Sequence, residues 1–467
     1  MKVTAITCEA YNLLHHGTLV LADISANGIR IDTELLRYNI DKVARMIART
    51  EKELKNSPIW QDWRKRYGSK AKLTSGHQLG CVLMEHYPDT WKEEGRLTAT
   101  GKPKTDEETL STIEIPFVQK YVYLSKLNKL RSTYLQGILR ETDANGFLHP
   151  MFGLGLARTY RSQSDHPNFQ NQPIRIPWMA KFIRSCFVAR PGRHLVEIDL
   201  KGAEVCVSAC YNRDPKLIAY VSNPALDMHR DMAAEIFKCT IDQVNKDVRH
   251  TAKNLFVFPQ FYGDWYLSCA KNIWDAIRKR KLHLNDGTDM FTHLKKKGIS
   301  RLGACKPKTP ALPGTFEKHM QDVEHAFWYD RFKVYTEWKE RWFAEYQKKG
   351  WFQTLTGFII QGFLNKKEVI NYGIQGSAFH CLLWSLIKLH SYIQRHNMKT
   401  LIVGQIHDSI LADVPAEELH QFLDIANRII TKQLPAAWPW IIVPIVAEVE
   451  ASPLGGSWFD KKPVELK

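Results

Sequence analysis

The chain has 467 residues, of which 44% are hydrophobic and 24% charged, with a formal net charge of +16. Such a composition excludes a disordered or low-complexity protein and suffices for a large core split into two or three subdomains. Nine cysteines without paired CxxC spacing exclude a disulfide scaffold and fit a reducing compartment, and no apolar run is long enough to span a bilayer. The cation surplus, with 11% aromatic residues, points to a polyanionic partner, most often nucleic acid. Charge alone does not separate an enzyme from a binding protein or from a plain solvated surface.

The first residues, MKVTAITCEAYNLLHH, lack the apolar core of a signal peptide. Residues 20–56 read as helix with a turn at Asn27-Gly28, the second helix being capped by Asp32 or Thr33. A basic stretch (63–72), a short capped helix (75–87) and a polar loop (100–105) follow. Residues 107–140 return to helix and carry Lys126, Lys129, Arg131 and Arg140. Two helical arms around a basic loop suit a duplex, and equally suit an ordinary helical hairpin. Residues 141–190 are irregular, and RTYRSQSDHPNFQNQPIR (158–175) is rich in the guanidinium and amide groups that contact phosphate, sugar and base edges.

HLVEIDLKGAEVCVSACY (194–211) reads as a buried strand that ends at Asp199, then a buried helix in which Cys206 and Cys210 are core residues. A carboxylate where strand meets helix is costly without a partner. A hard divalent cation is one such partner, and a cap or solvent is the bland alternative. Residues 227–237 form a capped helix with His229 near its start. In KDVRHTAKNLFVFPQFYGDW (246–265), Arg249 and Lys253 are four apart and share a helix face that suits a triphosphate. The rings that follow suit stacking on a base, although aromatic clusters are more often core.

Residues 266–315, with RKRK (278–281), KKK (295–297) and three prolines, read as an insertion with a long loop. A long charged and aromatic helix (316–350), a strand and turn (351–358) and a buried helix (368–390) come next. In LIVGQIHDSILADV (401–414) two apolar runs flank His407-Asp408, the pattern of a β-hairpin. If it pairs beside the strand of Asp199, two carboxylates meet, and two aspartates holding two metals suit phosphoryl transfer. A helix over 416–433 and a final strand over 440–453 complete the chain.

Assembled in this order, the stretches resemble the family A DNA polymerases of the polymerase I type. DLKGAEVCV (199–207) is similar to the first palm motif, RHTAKNLFVFPQFYG (249–263) to the fingers motif, and QIHDSILADV (405–414) to the second palm motif. NYGIQGSA (371–378) and RSQSDHPNFQNQPIR (161–175) are similar to two further family segments. The resemblance runs from about Leu19 to the region of Trp458. It implies an α+β right-hand fold, with an antiparallel palm sheet and helical thumb and fingers. The expected division is an N-terminal segment (1–18), thumb with the start of the palm (19–150), palm (151–226), fingers with an insertion near 270–315 (227–350), and palm again (351–467).

The resemblance also implies template-directed addition of dNTPs to a primer 3′ end. It assigns two magnesium ions, or manganese in their place, to Asp199, Asp408 and the backbone carbonyl of Leu200. The catalytic pair is Asp199 and Asp408. His229, Arg249 and Lys253 fall where the family contacts the triphosphate. Glu204 falls where it excludes a 2′-OH, with Tyr262 beside it, and Phe258 lies nearest the sugar 3′ position. Arg131, Arg161, Gln170, Asn171, Gln375 and His407 fall where it touches primer–template DNA. The expected form is compact and bacteriophage-like, without nuclease domains, and cytoplasmic (in the host if viral). A separate exonuclease or other replisome protein is the expected partner, and no membrane.

Ser409 departs from the pattern, standing where the family usually has Glu. The fingers spacing departs too, since Lys253 to Phe258 is five residues where the family has four. On a straight helix the extra residue turns the rings about 100° from the cations. A π-bulge between Asn254 and Pro259 restores the register. The alternatives are a single-subunit RNA polymerase, against which Glu204 argues, and a polymerase-derived DNA-binding scaffold, against which the intact Asp199, Asp408, Arg249 and Lys253 argue.

Overall fold

The strand expected at Asp199 forms over Arg193–Leu200 and sits in the middle of a five-stranded antiparallel sheet. The computed structural model describes residues 7–92, 96–98, 100–174 and 176–466. Across the sheet the order is Lys462–Pro463, Ala447–Ala451, Arg193–Leu200, Ser409–Pro415, Leu401–Ile406. The last two strands are the expected hairpin, turning at His407-Asp408. The remaining sheets are two-stranded, and helices dominate, so the chain is α+β.

Alternation along the strand sends side chains to two faces. Val196, Ile198 and Leu200 enter the large core, with Ile410 and Ala412 of the hairpin and Ala378, Leu382 and Leu386 of the long helix Lys366–Arg395. Burying each such aliphatic chain is worth about 1.5–3 kcal/mol. Leu195 and Leu411 face the other way, into a second core with Phe169, Phe187 and Trp458. Glu197 and Asp199 share that second face. A third cluster, around Trp63, Leu83, Trp91 and Tyr121, fills the far end of the arm built by the helices Thr33–Lys55 and Pro116–Lys129.

The long helix begins at a capping box, in which the Asn365 side chain accepts from the Glu368 N–H and Glu368 reaches back to Asn365. Inside it Gly376 is required by close approach, since a Cβ there would stand 2.6 Å from the Thr159 carbonyl oxygen. That contact draws the irregular segment bearing Arg161 onto the helix bearing Gln375.

Several elements differ from expectation. The first helix runs Cys8–Asn27, straight through the boundary expected after Thr18, and its Ala10, Leu13 and Leu21 belong to the large core. Residues 1–6 lie outside the description. Residues 107–140 are not one helix, because Pro116 starts a fresh one and a π turn over Leu130–Leu135 interrupts it. Residues 316–350 are likewise two helices separated by a π turn, Ala326–Arg331. The stretch 266–315 is more ordered than a loop, with helices Tyr266–Arg280 and Met290–Lys296 burying Leu267, Ile273 and Leu294. The last expected strand shortens to Ala447–Ala451, since Pro439 and Pro444 lack the N–H that a ladder needs.

Candidate active site

Asp199 lies one residue from the end of the central strand, directly opposite Ser409 in the register. The Leu200 N–H donates to the Asp408 carbonyl at 3.2 Å, which ties the strand end to the hairpin turn and brings the two aspartates together. His407 holds the turn with φ +49°, a left-handed conformation uncommon outside glycine and typical of strained functional turns. Glu448 lies opposite Asp199 on its other side and pairs with Lys201 at 2.7 Å.

Burial, followed by the neighbouring Asp408, Glu197 and Glu448, pushes the Asp199 carboxyl up to about 7, although the residue keeps an exposed edge. Its folded value exceeds its ordinary 3.8, so folding favours the protonated form. The stability this group contributes is complete below about pH 4 and is lost as pH rises through 7. With its exposed edge screened by water, Asp199→Asn is expected to melt about 1–2 °C above the parent at pH 8 in EDTA, with the gap closing toward pH 4. Thermal melts at the two pH values check this, and a variant that melts below the parent at pH 8 contradicts it.

Arg161 links the carboxylates. Its Nη2 meets Asp408 Oδ1 at 3.0 Å and its Nη1 meets Glu204 Oε1 at 3.3 Å. The Tyr262 hydroxyl donates to Glu204 Oε2 at 2.8 Å. Burial raises the Glu204 carboxyl, against the lowering effects of Tyr262 and Arg161. Burial and the Glu204 carboxylate push the Tyr262 phenol up as well. The resulting cleft, about 180 Å³, is lined by Asp199, Leu200, Glu204, Phe258, Tyr262, Asn371, Gln375 and Asp408, among others. A larger cleft of about 840 Å³ lies elsewhere, between residues 90–115 and the helix end carrying Arg278 and Lys279, and mixes both signs of charge.

The helix carrying Arg249 starts at Lys246, with Asn245 accepting from the Asp247 and Val248 N–H groups. It passes into a π turn over Lys253–Val257 and returns to α over Phe258–Phe261. The expected bulge is therefore present. Its effect is to place Lys253 Nζ 5.1 Å from the Phe258 ring centroid, with Phe258 and Tyr262 both in the cleft. Behind them Gln260 braces the helix end, donating to Glu324 at 2.6 Å and accepting from Trp328 at 2.7 Å. Arg249 is anchored by Asp227 at 2.6 Å. His229 packs edge-on to Phe258, with ring centroids 5.6 Å apart. Burial, then Lys253 and Arg249, lower it to about 4, so it is neutral, and its buried Nδ1 has no partner among the described residues.

The other expected contacts are spread more widely. Asn171 and His407 line one surface cleft with Lys126 and Lys129. Burial and Arg161 lower His407. Gln170 borders that cleft but is buried, and its amide donates to Ser162 Oγ at 2.9 Å and Gln405 Oε1 at 2.8 Å. It holds the segment in place and does not offer its N–H to an incoming chain. Arg131 sits in the π turn of the arm, its Nε buried without a partner among the described residues. Arg175 lies outside the described residues.

Sequence reasoning missed Glu197. Burial pushes its carboxyl up, but Lys461, Trp458 and Ser409 more than offset that and hold it below the usual range. Nothing local marks it, because Lys461 is 264 residues away.

Among the described residues no group of three His, Cys, Asp or Glu side chains is arranged to hold a metal. Asp199, Asp408 and the Leu200 carbonyl still form a hard-oxygen set suited to magnesium, which draws its remaining ligands from water and substrate phosphates. Burial and, after it, the neighbouring carboxylates raise Asp199, and both penalties on its charged form are of the kind that a divalent cation relieves.

The family model described as DNA polymerase family A matches residues 40–280 and 318–459, leaving out 281–317, close to the insertion expected near 270–315. DNA polymerase I of Chloroflexus aurantiacus is 25% identical over 456 residues, covering 96% of this chain and 43% of that protein. The DNA polymerase of Bacillus phage SP01 is 24% identical over 476 residues, covering 90% and 47%. The thermostable DNA polymerase I of Thermus aquaticus is 26% identical over 457 residues, covering 95% and 47%. The chain thus spans about half the length of the curated relatives it matches. The POL domain of Pol1 from M. smegmatis, solved with DNA primer-template and dNTP, superposes with a TM-score of 0.71 at 21% identity, over 96% of this chain and 70% of that one. The fold is therefore the polymerase right hand.

Proposed function

The chain belongs to DNA polymerase family A, and from that membership we propose that it extends a primer 3′ end with dNTPs, directed by a template strand, using divalent metal, most simply two magnesium ions. The observation that carries this reading is the meeting of Asp199 and Asp408 across the strand pair, in a cleft also lined by Phe258 and Tyr262 of the segment that follows Arg249 and Lys253. Within the division drawn from the sequence, residues 19–150 act as thumb, 151–226 and 351–467 as palm and 227–350 as fingers. The first helix goes with the palm core that it enters.

Lys253 and Arg249 neutralise the triphosphate, and Asp227 holds Arg249 in place for that task. The neutral His229, whose buried Nδ1 has no partner among the described residues, would turn that nitrogen to the same group once the triphosphate enters. Asp199, Asp408 and the Leu200 carbonyl would hold the metal. Magnesium bound there supplies charge neutralisation for the transferred phosphoryl group and acidifies the attacking hydroxyl. Arg161 releases Asp408 for this role and stays with Glu204. Glu204 and Tyr262 close the space beside the sugar. Arg131, Asn171, Gln375 and His407 are the proposed contacts to primer–template DNA, with Gln170 supporting their segment from within.

Primer extension with four dNTPs and magnesium tests the reading. A chain that binds primer–template but adds no nucleotide would return it to the scaffold alternative. Extension with rNTPs in preference to dNTPs would favour an RNA polymerase. At the sugar 3′ position, Phe258 has no hydroxyl to replace the one a dideoxynucleotide lacks. Phe258→Tyr is expected to improve dideoxynucleotide use relative to dNTP by about 10–100-fold, the scale of one hydrogen bond in a closed site. Competitive incorporation measures this ratio, and no change would place Phe258 away from the sugar.

A further inference from the structure

Glu197 occupies an unusual place for a carboxylate. It stands on the same sheet face as Leu195 and Leu411, both fully buried. Its own side chain is 17% exposed and that of Lys461, its ion-pair partner, 6%. Oε2 also accepts from Trp458 Nε1 at 2.8 Å, and Oε1 accepts from Ser409 Oγ at 2.8 Å. Lys461 is shared with Glu450 at 3.0 Å. The Arg184 guanidinium lies over the Trp458 ring, 3.8 Å from its centroid. A buried ion pair of this kind is often no more stable than apolar residues of the same volume. Its location suggests a use, because Ser409 follows Asp408 and lies opposite Asp199.

The sequence has Ser409 where the resembled family usually has Glu. In the structure a carboxylate is nonetheless beside residue 409, delivered from the neighbouring strand. We propose that Glu197 supplies from the central strand the carboxylate that the family usually carries at position 409, and that, held by Lys461 and Trp458, it is a positioning residue fixing the Asp408 turn against Asp199. The proposal rests on the polymerase reading for its chemistry, and on the Ser409–Glu197–Lys461 geometry for its residues. Ser409 Oγ lies within hydrogen-bond reach of both Glu197 Oε1 at 2.8 Å and the Ile406 carbonyl at 3.0 Å, its single proton shared between them, across the turn that carries Asp408. Loss of this clamp frees the turn without removing a metal ligand.

The test moves the carboxylate. Four proteins are compared: the parent, Glu197→Ala, Glu197→Gln and the exchange Glu197→Ala/Ser409→Glu. Each is assayed for primer extension, for manganese binding to its complex with a dideoxy-terminated primer–template (read by electron paramagnetic resonance), and for melting temperature. Glu197→Ala is expected to lose about 10–100-fold in kcat and about 10-fold in manganese affinity, as supporting groups around metal ligands do, with the KM for dNTP within about twofold. Glu197→Gln keeps the volume and loses the charge, and moves the same way by a smaller factor. The exchange variant is expected to return both quantities to within about fivefold of the parent.

The proposal is overturned if the exchange variant melts like the parent yet restores neither quantity, or if Glu197→Gln is folded and matches the parent in both. Should Glu197→Ala not fold, the Glu197→Gln and exchange arms decide. A parent that extends no primer would remove the polymerase reading, and the manganese arm would still decide whether the carboxylate can be exchanged.

Discussion

Asp199→Asn and Asp408→Asn each lower kcat for primer extension by about a thousandfold or more, while DNA affinity stays within about twofold. The size follows from the arithmetic that each tenfold costs about 1.4 kcal/mol and that metal-assisted charge stabilisation is worth several kcal/mol. Asparagine keeps the volume and one oxygen of each carboxylate and loses the charge, so the sheet and turn that position it are preserved. The two variants differ in what they leave behind. Asp199→Asn removes the carboxyl that burial and then its acidic neighbours push up to about 7, whereas Asp408→Asn strips Arg161 of one partner and leaves it on Glu204. Single-turnover extension with fluorescence-anisotropy binding separates chemistry from DNA affinity. Near-normal turnover in either variant would remove that residue from the catalytic pair.

Glu204→Ala is the second large expected effect, and it bears on choice more than on rate. The carboxyl is held on both oxygens, by Arg161 at 3.3 Å and by the Tyr262 hydroxyl at 2.8 Å, and its side chain is only 18% exposed. A group pinned from two sides cannot swing away from a 2′-OH. Its removal opens that volume and frees the tyrosine. The ratio of kcat/KM for dNTP over rNTP is expected to fall by about a hundredfold or more, the discrimination available to a buried polar contact. Steady-state kinetics with matched nucleotide pairs read this directly. An unchanged ratio would identify another residue as the gate, with Tyr262 the first to examine.

Much of this was readable in advance where a local rule applied. The central strand and the His407-Asp408 hairpin were legible because apolar runs of the right length bracket them. The cap was legible from residue type as Asp32 or Thr33, and the structure selects Asp32. The π turn over Lys253–Val257 followed from one extra residue between two pairs spaced by four. The π turns over Leu130–Leu135 and Ala326–Arg331 carry no such internal ruler and were read as unbroken helix. The strand expected over 440–453 forms only over Ala447–Ala451, because the prolines at 439 and 444 outweigh the apolar content of its first half. The resemblance places Gln170 among the contacts to primer–template DNA. Its partner Gln405 is 235 residues away, and only the folded chain turns that amide inward. The same holds for Arg161, whose two carboxylate partners stand 43 and 247 residues further along the chain.

Arg161 has a consequence for how such a site changes over time. A single guanidinium holds two neighbours to which the proposed function gives different duties, Asp408 as a metal ligand that it must release and Glu204 as the sugar gate that it keeps. A substitution that moves the guanidinium reaches both contacts at once. If the proposed roles hold, rate and sugar selectivity are pleiotropically joined through this one side chain. Selection or laboratory evolution for one should repeatedly carry the other along, until a second cation arises to separate the two traits.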